Sequence, residues 1–413
     1  MDNRVVVTGM GIVSPLGLDV PTTWQGLVAG KSGVDYITLF DTSDFDVKIA
    51  AEVKGFDPLR YIDRKRVRHT DRFTHFAIAA SLEAAESARL KIDSSNGYEV
   101  GVIIGSGMGG LTTLSRQLEV LFDEGPSRVS PFLIPTMIPD MASGQVSIHI
   151  GAKGPNYGVS SACASGAHAI GSAFGTIRQG DAEVMLAGGS EAVITPIAVA
   201  DFANMKALST RNNDPGKASR PFDAGRNGFV VGEGAAVLVL ECLDFALKRG
   251  APILAELLGY GATADAYHFT EPPENGEHIE RAMRLALQQA HLKPVDIDCI
   301  NAHGTSTRLN DAIETRAIKS LFGEHAYKVP ISANKSMLGH LIGAAGAISS
   351  AAAVLTINNG IIPPTINLEN PDTECDLDYT PNVARQVKVR NVLVNSFGFG
   401  GHNASLVFSA YAE

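Results

Sequence analysis

Twice along this chain an extended segment runs into a helix that opens on small residues, and twice the chain then continues to a strand ending in glycines. In the first pass the helix opens at Ser160-Ser-Ala-Cys163-Ala-Ser-Gly-Ala-His-Ala, and the late strand ends at Ala187-Gly188-Gly189. In the second it opens at Ser332-Ala-Asn-Lys335-Ser-Met-Leu-Gly-His340, with Gly-Ala-Ala-Gly-Ala close behind. That half ends at Phe397-Gly398-Phe399-Gly400-Gly401. The likeness is one of topology rather than of letters. It predicts a duplicated architecture, with residues 1–250 as one half and 251–413 as the other.

Within each half, β-branched runs alternate with Ala-rich stretches. Strands are expected at residues 4–8, 99–105, 182–188, 235–241, 297–302 and 391–396, and helices at 72–90, 164–179, 278–291, 311–322 and 338–358. Such alternation belongs to the α/β class, with largely parallel sheets covered on both faces. The length of 413 residues and a 45% hydrophobic composition leave room for two sizeable cores. Stretches 212–216 and 272–276 read as surface loops. Residues 343–357 are rich in Ala, Gly and Ser, too short and too weakly hydrophobic for a bilayer span, and read as a buried core helix.

The net charge of −10 argues against nucleic acid as a partner. It leaves open an acidic protein partner, which a local basic patch can still steer. The four cysteines, 163, 242, 299 and 375, are far apart and lack CxxC spacing, so neither a zinc site nor a disulfide framework is expected. A reducing, cytoplasmic setting fits. The N-terminal stretch goes straight into a strand and shows no signal peptide.

Four segments can carry chemistry. Cys163 lies at a strand-to-helix junction, where free N–H groups and the helix dipole favour a thiolate. The other reading is a buried structural cysteine, which fits Cys242, Cys299 and Cys375. His303, in Asn301-Ala-His-Gly-Thr-Ser-Thr307, sits at the C-terminal end of a strand, where open α/β sheets place ligands. His340 follows Gly339. Either histidine could be a satisfied core residue or a zinc ligand, but no third ligand stands at metal spacing. Last, Asn395-Ser-Phe-Gly-Phe-Gly-Gly-His-Asn403 reads as a mobile loop presenting N–H groups beneath an aromatic flap, or as a turn anchored by its phenylalanines.

Taken in order, Ala162-Cys163-Ala-Ser-Gly166, Asn301-Ala-His303-Gly-Thr-Ser-Thr307, Lys335-Ser-Met-Leu-Gly-His340 and Phe397-Gly-Phe-Gly-Gly401 resemble the β-ketoacyl-[acyl-carrier-protein] synthase II family, the elongating condensing enzymes of type II fatty acid synthesis. The resemblance covers essentially the whole chain. It implies a thiolase-like, five-layered αβαβα fold of two duplicated halves, a homodimer, and an acyl carrier protein as partner, with no cofactor, metal or membrane insertion. It implies that Cys163 accepts the acyl chain, that His303 and His340 act on the malonyl thioester, and that Lys335 organises the site. The N–H groups of Cys163 and Phe399 would form the oxyanion hole, with Phe399 as gate. Thr305, Thr307 and Thr270 would bind substrate. Met108 and Leu133 lie where relatives line the acyl tunnel. A basic cluster of Arg64, Lys65, Arg66, Arg68, Arg72, Arg128 and Lys206 could dock the carrier, with Lys65, Arg68 and Lys206 as its centre, or be a solvated face.

Three departures stand out. Ser349 occupies the place of a glutamate that would pair with Lys335, leaving a backbone carbonyl, Ser349 or water as that lysine's partner. His402 replaces a threonine, and Lys206 an arginine. A degradative thiolase would need a second cysteine after the Phe-Gly loop, and a priming enzyme an asparagine in place of His340. A polyketide-type ketosynthase and a non-catalytic chain-length partner remain as alternatives.

Overall fold

The computed structural model describes residues 3–412. The main-sheet strands of its first half are β1 (Val5–Val13), β2 (Val100–Gly105), β3 (Asn156–Val159), β4 (Val184–Glu191) and β5 (Gly234–Cys242). They stand in the order β3-β2-β4-β5-β1, with β2 parallel to β3 and β4 and the remaining pairs antiparallel. The second half repeats this with β6 (Ala255–Ala264), β7 (Cys299–Asn301), β8 (Ile331–Ser332), β9 (Asn391–Gly398) and β10 (His402–Ser409), in the order β8-β7-β9-β10-β6. Here β7 is parallel to β8 and β9, while β10 runs antiparallel to its two neighbours. A three-residue antiparallel contact, Val5–Val7 against Ala255–Leu257, joins the blocks into one ten-stranded sheet.

Two glycine pairs mark the duplication in atomic detail. On β1, Gly9 and Gly11 face helix α1 (Arg72–Ser87); a Cβ on either would lie 2.4 Å from the Ala84 carbonyl oxygen or 2.0 Å from that of Ala80. On β6, Gly259 and Gly261 face a second helix, Glu277–Gln289, with the corresponding gaps of 2.2 Å to Ala286 and 2.0 Å to Ala282. In both halves the missing side chains let a helix backbone lie directly on the strand.

The layers follow from the pleat. Val237 and Val239 of β5 point to the outer helices, whereas Leu238 and Leu240 point to the centre. Helix α1 and α2 (Met141–Ile150) cover the first half outside, and α4 (Glu277–Gln289) with α5 (Arg308–Phe322) covers the second. Between the halves lie α3 (Ser165–Gln179) and α6 (Ala345–Asn359), each touching strands of both. This is the five-layered αβαβα arrangement.

The expected helix at 338–358 is broken. Lys335–Leu338 forms one turn, Gly339 takes φ +69°, Ile342–Ala344 is a 3-10 turn, and only then does α6 begin. His340 therefore sits in a non-helical loop. Residues Ile342–Asn359, with mean hydropathy 1.2, are long and apolar enough by composition to cross a membrane, contrary to the length argument above. However, 83% of that stretch is buried inside the fold, as expected of a core helix. Of the two readings of 395–403, a mobile loop or a turn anchored by its phenylalanines, the structure gives a hairpin turn: β9 runs through Gly398 with Phe397 buried, Gly398 pairs with His402, and Gly400 and Gly401 turn at φ +85° and +73°.

Candidate active site

Cys163 lies in the turn between β3 and α3. The preceding Ala162 adopts φ +50°, an uncommon left-handed conformation. Ser165 clamps this turn, donating from Oγ to the Ala162 carbonyl at 2.6 Å and accepting from the Ser161 N–H at 2.9 Å. The N–H groups of Phe399 and of Cys163 itself both reach the Cys163 sulfur. Ser396 Oγ donates to the Cys163 carbonyl at 3.0 Å, tying the Cys163 turn to β9.

The expectation of a resting thiolate is not met. Burial pushes the Cys163 thiol up to about 12, and Glu191 pushes it further; Lys335 and the two N–H groups pull the other way and are outweighed. Desolvation of a buried anion exceeds what the helix end supplies, so the group at rest is a neutral thiol.

The two imidazoles meet edge to face, with ring centroids 5.5 Å apart. Both are buried, at 4% and 2% exposure. Burial holds each well below the usual histidine range, helped by Lys335 and, for His303, by His340. Both rings are therefore neutral, and their surroundings select the tautomer. His340 Nδ1 faces the Ile342 N–H at 3.2 Å. A backbone N–H only donates, so Nδ1 must accept and the proton sits on Nε2. His303 Nδ1 faces Lys335 Nζ at 3.4 Å; an ammonium there has the same effect.

Lys335 is 5% exposed and does not reach the cavity wall. Its Nζ donates to the His303 carbonyl at 2.5 Å, the backbone-carbonyl partner foreseen above, while Ser349 makes no bond to it. The carboxylate that supports it is Glu314 on α5. Glu314 accepts from the N–H groups of His303 and Gly304 at 2.8 and 2.9 Å and from Asn395 Nδ2 at 3.2 Å, and it raises the Lys335 pKa. Burial is the larger effect, and Lys335 is lowered to about 8. Sequence reasoning missed Glu314. The available signal was its position: Asp311, Glu314, Ile318 and Leu321 share one stripe of α5, so two acids lie on its buried face.

Cys163, His303, His340 and Phe399 line one cavity of about 600 Å³. Met108, Thr270, Thr305, Thr307 and Lys206 line it too. The hydroxyls of Thr305 and Thr307 lie 2.8 Å apart. Phe399 is half-buried and packs against the apolar cluster that contains Cys163 and Ile342. The hairpin it rides on is held from outside: Gly400 N–H donates to the Phe269 carbonyl at 2.7 Å, and the Asp265 N–H to the Gly401 carbonyl at 2.9 Å. Leu133 is not part of the cavity wall but belongs to a short helix, Leu133–Met137. His402 lies beside His168, ring centroids 6.4 Å apart.

The basic cluster is smaller than its letters suggest. Arg72 forks onto buried Glu233 at 2.7 and 2.9 Å, Arg66 pairs with Asp63, and Arg128 with Glu124. Lys65 and Arg68 are exposed and make no ion pair among the described residues.

The chain is similar to known proteins over essentially its whole length. Residues 2–246 match the N-terminal domain of beta-ketoacyl synthases, and residues 254–369 the C-terminal domain. The 3-oxoacyl-[acyl-carrier-protein] synthase 2 of Synechocystis sp. is 52% identical over 408 residues, 99% of this chain and 98% of the relative. Among solved structures, the ishigamide ketosynthase/chain length factor superposes with a TM-score of 0.94 at 38% identity, over 100% of both chains. A type II polyketide acyl-carrier protein in complex with its ketosynthase, bound to the hexaketide, gives 0.90 at 34%, again over 100% of both chains. With both domains matched in order and half its residues identical to a full-length relative, the chain belongs to the β-ketoacyl synthase family.

Proposed function

We propose that the chain is a condensing enzyme that lengthens acyl chains in fatty acid synthesis, joining an acyl thioester to malonyl-[acyl-carrier-protein] to give 3-oxoacyl-[acyl-carrier-protein], CO2 and free carrier protein. The observation that carries this reading is the convergence of a thiol, two N–H donors and two neutral Nε2–H imidazoles on one cavity.

The acyl group moves first. Cys163 attacks the acyl thioester, and the thiol proton leaves with the departing pantetheine thiol, so the exchange needs no net base. The malonyl thioester then enters. Its carboxylate leaves as CO2, and the bonding pair becomes an enolate whose oxygen takes hydrogen bonds from His303 and His340. Two neutral donors in a dry site suit a developing oxyanion, and they need no reorganisation as the charge forms. The enolate carbon attacks the acyl-Cys163 carbonyl, whose oxygen falls on the Cys163 and Phe399 N–H groups. Collapse expels the Cys163 sulfur as a thiolate, which takes a proton from solvent to return to the resting thiol. Lys335 positions His303 and favours the sulfur anion at that moment. The half-buried Phe399 keeps water from the acyl-enzyme, and Thr305, Thr307 and Thr270 hold the pantetheine arm.

The finer assignments belong to the same reading. The first half supplies the nucleophile and the second the imidazoles. Lys65, Arg68 and Lys206 dock an acidic carrier protein. A second copy of the chain covers α-helix Leu111–Glu124, which buries none of its residues, together with the exposed edge strand β3 and the exposed Phe122, Phe132 and Ile134. Four free, buried cysteines suit the cytoplasm. The test is mass spectrometry of the protein after exposure to an acyl-carrier protein. The acyl mass should sit on the peptide containing Cys163 and transfer to malonyl-carrier protein, and C163A should neither acylate nor condense. An acyl group stable on any other residue, or elongation by C163A, contradicts the assignment.

A further inference from the structure

Glu191 ends β4 and is fully buried, with no lysine, arginine or histidine paired to it among the described residues. Its two oxygens instead accept from two separate loops. Oε1 takes the Ser106 hydroxyl at 2.9 Å and the Met108 N–H at 3.2 Å. Oε2 takes the Gly107 N–H at 2.7 Å and the Gly343 N–H at 2.9 Å. The first loop forms the Met108 wall of the cavity. The second follows Ile342, whose N–H fixes the tautomer of His340. The approach is close enough to require glycine: a Cβ on Gly343 would lie 2.6 Å from Oε2, and one on Gly107 2.9 Å from it.

Burial without a cation makes this an expensive place for a carboxylate and pushes it up to about 7, with the four donors pulling the other way. The ionised form nevertheless satisfies every neighbour. The three N–H groups can only donate, and Ser106 can donate to Glu191 while accepting from the Gly109 N–H at 3.0 Å. A protonated Glu191 has only Ser106 to donate to.

We propose that Glu191 is a positioning residue that latches the Met108 wall to the loop orienting His340, so that an acyl chain pressing on that wall is felt at the imidazole that handles the malonyl group. The inference rests on the function proposed above. It makes Glu191 a determinant of acyl-length preference that never touches substrate.

The test compares E191A, E191Q and E191D, each in the otherwise native chain and combined with C163Q, which isolates malonyl decarboxylation. With a series of acyl-carrier proteins of rising chain length, E191A should change the ratio of kcat/KM between the longest and shortest chains by about tenfold or more. In the C163Q background it should slow CO2 release from malonyl-carrier protein by a similar factor. E191Q can keep its oxygen on Gly107 and Gly343 and should recover most of both losses. E191D keeps the charge but is one methylene too short to hold both loops, and should resemble E191A; it serves where E191A does not fold. An unchanged length ratio and unchanged CO2 release per folded site, with only the melting temperature lowered, would overturn the latch. Absence of CO2 release from C163Q with Glu191 intact would instead overturn the role given to the imidazoles, and the length ratio then decides the latch alone.

Discussion

The two halves use one scaffold and put opposite chemistry in the same slot. In each, a central helix follows an extended segment, and a glycine pair lets an outer helix lie on the strand at the join, Gly9 and Gly11 in one and Gly259 and Gly261 in the other. In the first half the slot ahead of α3 is a tight turn closed by Ser165, with Cys163 on it. In the second, the slot ahead of α6 has opened into a six-residue loop, 339–344, that displays His340. Burial then acts on both sides alike: it raises the thiol and lowers the imidazoles, so each is neutral at rest. Lys335, between them, favours the thiolate and the neutral rings together. On the function proposed above, duplication supplies two facing crevices, and divergence of the slots lets one carry the nucleophile and the other an electrostatic trap.

The largest effect expected from that division is in the second half. H303A or H340A should each slow malonyl decarboxylation by about 10²–10³, read as CO2 release, while leaving Cys163 able to take an acyl group. If either also abolished acylation, the division of labour would be wrong. The scaffold itself comes next. G11A and G261A each drive a Cβ to 2.0 Å from a helix carbonyl, and overpacking of this kind costs about 1–3 kcal/mol. Denaturant midpoints should fall by matching amounts; a fall confined to one half would show that the two strand–helix contacts are not equivalent. Smallest is the electrostatic link. K335M removes the charge that lowers Cys163, so alkylation of Cys163 below about pH 8, where Lys335 is charged, should slow. An unchanged rate would remove Lys335 from the account.

Much of this was legible in the letters. Cys163, His303, His340 and Phe399 stand in local patterns with glycine or small neighbours, and the fold brings all four to one cavity. Strands β1, β2, β4, β5 and β9 are long or strongly β-branched. Strand β8 was not legible: two residues carry no period, and it exists because β7 lies beside it. Strand β10 is not legible either, because the Phe-Gly stretch ahead of it fits a mobile loop as well as a turn, and only cross-strand pairing with Asn391–Gly398 orders it. Glu191 and Glu314 were missed because a carboxylate is ordinarily a surface group; the backbone N–H groups that justify burying Glu191 come from loops far away in sequence, and those on Glu314 from the strand end about one helix-length earlier, whose closeness only the fold shows. The thiolate expectation failed for a related reason: a helix end can be read from sequence, but the depth at which the sulfur is buried cannot.

The most direct test of the whole account is CO2 release from malonyl-carrier protein by C163Q. The account predicts that this variant decarboxylates while forming no 3-oxoacyl product, because the imidazoles of the second half work without the thiol of the first. Condensation by C163Q, or decarboxylation that survives loss of both His303 and His340, would contradict it.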